Sequence, residues 1–505
     1  MKTPILGSSY VARSVNAADS RMVNLFPEIV PEGGKEPAFL QRAPGLRLLA
    51  TLGGGPVRGL WTFGGYGYAV SGDKLYKIDS FWVATVKGTV TGTGPVSMVD
   101  NGTQLFIACN PSAFIYNAST GVFSQITDPD FPGAVTVGYL DGYFVFNQPN
   151  SQRFWVTSLN DGTQIDPLDF ASAEGNPDDV VALNVNHREV WLFGKSTIEV
   201  WYNAGAPDFP LARIQGAFME IGCLAPYSIA KLDNSVFWLG ADARGNGIVY
   251  RNNGYNAQRI STHAIEWQIQ QYGVLNDAIG YSYQQDGHFY YVLTFPTANA
   301  TWCYDVATNS WHERAGWNGV TFTRHRSNCQ ANFNGEVLVG DWFNGKIYAF
   351  DPEVYSDNGA AQRWLRSWRA LPTGQNDLRR TAHHTLQLDC QTGVGVLNAE
   401  AFLLLTEDSR FLITEDGNYI EAVDTTNVLG VNPQVMLRWS DDGGHTWSNE
   451  HLAGMGMIGQ YYHRVFWRRL GMTLKLRDRV YEISGTDPVK IAIMGAELLL
   501  SPTSA

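Results

Sequence analysis

Cysteine is scarce in this sequence. Five residues, Cys109, Cys223, Cys303, Cys329 and Cys390, are scattered over 505 positions and never form Cys-x-x-Cys. That pattern excludes a disulfide framework and a thiolate zinc site, and it predicts buried, reduced thiols. Charge is thin as well, at 17% Asp, Glu, Lys and Arg, which argues against long disordered tails. What charge there is leans acidic, with a formal balance of −12. Sequence-independent grip on DNA needs Lys and Arg to displace counterions from phosphates, so this balance disfavours it. The same balance suits a surface that DNA slides past. No apolar run approaches membrane-spanning length, the longest being residues 401–405. The start, Met1-Lys2-Thr3-Pro4-Ile5-Leu6, has no signal-peptide stretch. The expectation is folding in a reducing cytoplasm, with no membrane insertion.

Chemical motifs are missing too. Gly194-Lys195-Ser196 resembles the end of a phosphate-binding loop, but the glycine required five positions earlier is Glu189. Strand-like flanks leave no helix N-terminus to cradle phosphate. Acids adjacent in sequence, such as Asp178-Asp179 and Asp441-Asp442, point to opposite faces of a strand and make poor acid/base pairs. The ten histidines show no metal-ligand spacing, and no Gly-x-Ser-x-Gly elbow occurs. No catalytic residue, cofactor or metal is expected.

What is present is a repeat. Seven turns, Gly64-Gly65, Asn101-Gly102, Asp141-Gly142, His187-Arg188, Asp233-Asn234, Asp286-Gly287 and Asn334-Gly335, each join two alternating apolar runs. Such dipeptides favour the positive φ that type I′ hairpins need. A third strand-like run follows each hairpin, and the copies recur every ~40–50 residues, as four-stranded propeller blades do. The reading is all-β: a six- or seven-bladed β-propeller with an N-terminal arm and a C-terminal antiparallel β-sandwich-like domain.

The boundaries expected are 1–50 for an extended arm, 51–360 for the propeller and 361–505 for the sandwich. The arm is able to supply the last strand of a terminal blade, and removal of residues 1–40 is expected to leave soluble but assembly-defective or aggregating protein. A repeated Thr-Glu-Asp pattern at 402–421 predicts an inserted hairpin or a surface flap used in assembly. Ser440, Asp442, Gly444, Thr446 and Trp447 match the Asp-box turn, whose content is structural: the aspartate bonds turn amides while the tryptophan packs below.

Two clusters mix arginine with aromatics. Trp364, Arg366 and Trp368 stand in the first, with Arg363, Arg369, Arg379 and Arg380. Arg464, Phe466, Trp467, Arg468 and Arg469 stand in the second, with Lys475, Arg477 and Arg479. Arg, Trp and Tyr are enriched at protein–protein hot spots, so both clusters are candidate subunit or partner docking sites. A solvated strand face is the other reading. Alternation places Phe466, Arg468 and Leu470 on one side of the strand, and Trp467 and Arg469 on the other.

Residues 16–28, 42–46, 193–205 (FGKSTIEVWYNAG) and 463–480 (HRVFWRRLGMTLKLRDRV) resemble the packaged-DNA stabilisation, or tail hub (nozzle), proteins of short-tailed bacteriophages. The 402–421 insertion departs from that pattern. The resemblance implies a structural virion protein of the tail, assembled in the host cytoplasm. It implies a homo-oligomeric, hexameric ring below the portal and adaptor. The ring would extend the DNA channel, retain packaged DNA that passes without specific binding, and dock fibres, spikes or needle. It supplies no catalytic residue. Two alternatives stand beside it: a carbohydrate-active or glycan-binding propeller of sialidase or depolymerase type, which needs converging acids at its centre, and a monomeric interaction scaffold.

Overall fold

The computed structural model describes residues 1–505 except 15–18, 243–244, 371–379, 397–400, 404–420, 424–428, 474–478 and 503–505. It forms two compact units, one spanning Leu46–Asp351 and the other combining Met1–Gly45 with Pro352–Ala505.

The first unit holds seven blades, each built on four antiparallel strands, the fifth with Gly222–Cys223 as an additional short strand. The first blade runs Val57–Phe63, Tyr66–Ser71, Lys74–Ile78 and Ala84–Thr89, each strand antiparallel to the next. Later blades begin at Ser97–Asp100, Val137–Leu140, Val180–Asn186, Ala230–Leu232, Ile279–Gln285 and Ser327–Phe333. The seventh is completed by the strand Gly45–Thr51, which pairs with Lys346–Asp351. Arg47 fastens that closure through Asp351 Oδ2 at 2.6 Å and Glu336 Oε1 at 2.7 Å. Seven apolar clusters fill the joints, one between each adjoining pair of blades, including the joint of the last with the first.

The turns explain why the hairpins form where they do. Six have positive φ at both central residues, even His187 (51°) and Arg188 (64°). Arg188 holds Asp141 of the neighbouring blade at 2.9 Å, which offsets the left-handed strain. The Asn101-Gly102 turn differs: only Gly102 is positive, and Asn101 Oδ1 accepts from the amides of Thr103 and Gln104 in a longer loop. Between the fifth and sixth blades the chain forms one helix, His263–Gln270, absent from the repeat pattern. Its Ile265 and Ile269 are buried in the joint between those blades.

The Gly194-Lys195-Ser196 turn does hold an anion, but an internal one. Asp178 accepts from the amides of Lys195 (3.0 Å), Ser196 (2.6 Å) and Thr197 (2.9 Å). A Cβ on Gly194 would lie 2.4 Å from Asp178 Oδ2, so glycine makes room for that carboxylate. Asp178→Ala removes the acceptor of three amides, of which that of Thr197 is buried, and is expected to cost ~1–3 kcal/mol, read as a lower urea midpoint with the propeller fold retained.

The second unit is a β-sandwich. One sheet has the order Val465–Met472, Thr381–Cys390, Ala492–Pro502, Ala38–Arg42, Leu25–Ile29, with Lys2–Thr3 also paired to Ala492–Pro502. The facing sheet contains Met22–Val23, Trp364–Arg369, Val480–Gly485, Gln434–Ser440 and His451–Gly454. Residues 1–43 therefore differ from the extended arm expected. They supply strands to both sheets, and Ile5, Met22, Leu25 and Leu40 sit in the shared core. Of the insertion, Ala401–Leu403 pairs with Glu421–Val423; the remainder, 404–420, lies outside the described residues.

Buried neutral histidines give the fold an acid limit. Burial first, then a neighbouring arginine charge, pushes His312 in the propeller and His383 in the sandwich down to about 3. His383 is bracketed by Tyr481 Oη at 2.7 Å and Thr381 Oγ1 at 3.0 Å. The unfolded chain takes up these protons near pH 6.5 and the folded chain does not. Stability is therefore full above that pH and falls by ~1.4 kcal/mol per pH unit per histidine on the way to pH 3. Melting curves between pH 7.5 and 4.5 should show this slope, and His383→Gln should flatten it for the sandwich.

Candidate docking surface

The two arginine–aromatic clusters separate in the structure. Trp364–Arg369 is an interior strand, paired with Met22–Val23 on one edge and Val480–Gly485 on the other. Trp364, Arg366 and Trp368 are each 1% exposed. Trp368 Nε1 donates to Thr3 Oγ1 at 3.0 Å, and Arg366 Nε donates to the Ile5 carbonyl at 2.6 Å. Burial lowers the Arg366 guanidinium to about 10, which leaves it charged at neutral pH. These three residues are not docking residues, because a strand paired on both edges and covered on both faces meets no partner. Arg379, Lys475 and Arg477 lie outside the described residues.

The second cluster lies on the edge strand Val465–Met472. Alternation breaks at Arg469, whose φ is +59°. There the register against Thr381–Cys390 shifts, so that Arg469 and Leu470 together oppose His384. Val465, Trp467 and Leu470 consequently all point into the core. Trp467 Nε1 is used on the carbonyl of His451 at 2.9 Å. Trp467 thus leaves the docking set, and Leu470 changes sides from its expected face.

The outward face keeps Arg464, Phe466, Arg468 and Arg469. Register places Arg468, Thr385 and Leu499 in one row across three strands. The neighbouring row is Phe466, Gln387, Glu497 and Lys2. Arg468 stacks its guanidinium 4.5 Å from the Phe466 ring centre, and Arg464 Nη2 donates to Gln387 Oε1 at 2.6 Å. Leu499 is 62% exposed beside them. Together with Met1 these side chains line a notch of about 340 Å³. Leu499 and Gln387 had no distinguishing local signal in the sequence. The run Leu498-Leu499-Leu500 hinted that a strand was apolar on both faces, but not which leucine was left outside.

Arg479 acts inward. It grips Asp441 with both arms, Nε to Oδ1 at 2.6 Å and Nη2 to Oδ2 at 2.8 Å. Nη1 also holds the Leu470 carbonyl, next to the bulge, at 2.7 Å. Burial opposes its charge, yet Asp441 and Tyr481 together outweigh burial and raise its pKa. The adjoining turn is closed by Asp442: Oδ1 accepts from the amides of His445 and Thr446, and Oδ2 from Thr446 Oγ1 at 2.6 Å. Ser440 Oγ donates to Asp442 and accepts from the Gly444 amide at 2.8 Å. The hydroxyls of Ser440 and Thr446 hold the Asp442 carboxyl well below the usual carboxylate range. Trp447 is half-buried, with the Arg438 guanidinium 4.6 Å from its ring centre.

At the propeller centre a cavity of about 320 Å³ is lined mainly by the blades' first strands. Its polar side chains include Arg58, Ser97, Thr136, Asn184, Lys231 and Asn328, and no carboxylate is among the lining residues. Among the described residues no three His, Cys, Asp or Glu side chains converge to hold a metal.

Comparison with known proteins matches two family models. One, described as bacteriophage P22 Gp10, beta-propeller, covers residues 1–355; the other, bacteriophage P22 Gp10, beta-sandwich, covers residues 411–500. The tail hub protein gp10 of Salmonella phage P22 is 25% identical over 230 residues, which is 42% of this chain and 47% of that protein. The match thus spans about half the length of that relative. Among solved structures, the computationally designed Ika8 protein aligns at a TM-score of 0.39 and 12% identity, over 60% of this chain and 99% of that one. The Neurospora crassa Pan2 WD40 domain aligns at a TM-score of 0.41 and 9% identity, over 61% of this chain and 96% of that one.

Proposed function

The chain belongs to the bacteriophage P22 Gp10 family, and from that membership we propose that it is a structural subunit of a short-tailed phage's tail hub. The observation carrying this reading is the pair of family matches, over residues 1–355, which include the whole propeller, and over 411–500, within the sandwich unit. The subunit works as one copy in a ring of six below the portal and adaptor, located in the tail of the virion. The ring prolongs the DNA channel, retains the packaged genome, and carries fibres, spikes or needle. A net charge of −12 supports passage of DNA, since repelled phosphates do not stick to the wall. The role is one of assembly rather than catalysis.

Particles produced without this chain test the reading. They are expected to fill with DNA and then lose it, and supplied protein is expected to restore retention and to appear as a ring at the tail vertex in electron micrographs. Particles that retain DNA and carry complete tails without the chain would refute it.

A further inference from the structure

Acid is unevenly spread along this chain. Between residues 128 and 179 stand nine Asp or Glu against one base, Arg153, so this stretch carries −8 of the −12 total. Some of these carboxylates are consumed internally, Asp178 by the 195–197 amides and Asp141 by Arg188. Asp166 and Asp169 have no ion pair among the described residues. They flank Leu168, which is 78% exposed. The turn that presents it is stiff: Asp166 Oδ1 accepts from the Leu168 amide at 2.9 Å, and the Asp166 carbonyl accepts from the Asp169 amide at 3.0 Å. Burial, and then the charge of Asp166, pushes the Asp169 carboxyl up, as for an anion short of counter-charge.

The sandwich notch offers the converse. Arg464 and Arg468 border it without a carboxylate of their own among the described residues, while Phe466 and Leu499 form its apolar wall. Its one acid, Glu497, lies across from Lys2, whose ammonium also pairs with Glu36. A knob made of an exposed leucine between two carboxylates matches a hole made of apolar wall between two guanidiniums. The 340 Å³ of the notch is ample for a leucine side chain.

We propose that the Asp166-Pro167-Leu168-Asp169 turn of one copy seats in the Arg464–Phe466–Arg468–Leu499 notch of the next. This deepens the ring reading above and rests on it, by naming the partner of the notch as a second copy of this chain. The contact uses two different surfaces, so it is heterologous and propagates from copy to copy until it closes a ring. Desolvating Leu168 and Leu499 supplies affinity, while the Asp–Arg pairs set orientation and make association weaken with salt.

Charge exchange tests the pairing in the full-length chain. One variant carries Arg464→Glu and Arg468→Glu; the other carries Asp166→Arg and Asp169→Arg. Arg464, Arg468 and Asp166 are exposed and Asp169 is half-buried, so each variant is expected to stay folded, which its melting curve checks. Measured by sedimentation at low salt, each alone should associate at least ~100-fold more weakly than the unaltered chain, because every contact then brings like charges together. An equal mixture should associate again, since both possible contacts between unlike variants pair opposite charges. If both variants alone associate like the unaltered chain, or the mixture of folded variants fails to recover, the pairing is wrong while the hub assignment stands. An unaltered chain that stays single at every attainable concentration overturns this contact as the source of self-association. The hub reading itself fails only in the particle experiment, where DNA retention is the readout.

Discussion

Deleting residues 1–43 is expected to unfold the sandwich, an outcome more severe than the assembly defect that an extended arm would give. Ile5, Met22, Leu25 and Leu40 are each 0–1% exposed in its core. Truncating one such side chain costs ~2–5 kcal/mol, so losing four, ~8–20 kcal/mol, is as large as the ~5–15 kcal/mol that holds a typical domain together. Backbone is lost as well. Ala492–Pro502 gives up its pairing with Lys2–Thr3 and Ala38–Arg42, and Trp364–Arg369 gives up Met22–Val23. Arg42 goes with them; it is buried, lowered by burial to about 10, and donates to the carbonyls of Gln362, Asp487 and Val489. Limited proteolysis should then digest the chain from about residue 352 onward while the propeller, whose closing strand is retained, resists. A truncated protein with an intact cooperative transition for the sandwich would contradict this account.

Arg479→Ala is expected to have the second-largest effect. The side chain is 1% exposed and its partner Asp441 is 12% exposed. Removing the guanidinium leaves a carboxylate without its counter-ion in a largely dry site and frees the carbonyls of Leu470 and Met472. Breaking such a pair costs ~3–5 kcal/mol. Those carbonyls flank the Arg469 bulge, so the loss should also loosen the edge strand and with it the notch. Arg479→Lys should recover only part, because an ammonium cannot fork to both oxygens of Asp441. Denaturant unfolding of Arg479→Ala, Asp441→Ala and the double variant would measure the coupling. An additive double variant would show that the two do not act together.

How much of this was legible beforehand depends on the range over which each feature is decided. The blades were readable because hairpin turns are local: Asp286-Gly287 states its own positive φ, and the alternation on either side states which residues face a neighbouring blade. The helix His263–Gln270 escaped because a short segment between two blades breaks no repeat. The docking face was legible only in composition. Trp364, Arg366 and Trp368 look in sequence much like Phe466 and Arg468, yet one set is interior and the other faces out. The difference lies in which strands pair beside them.

The sequence by itself determined the class and the repeat of this protein. Alternating strands joined by I′ turns close into blades whichever neighbours they meet. Tertiary structure decided what the chain ends do and which arginines are free. A strand's pairing partner lies hundreds of residues away, as Lys2 does from Glu497, and no local propensity encodes it. A single left-handed residue, Arg469, turned Leu470 inward and left Arg468 outside. Side-chain period 2 makes every residue beyond such a bulge change faces, so the surface that meets a partner exists only once the register is set.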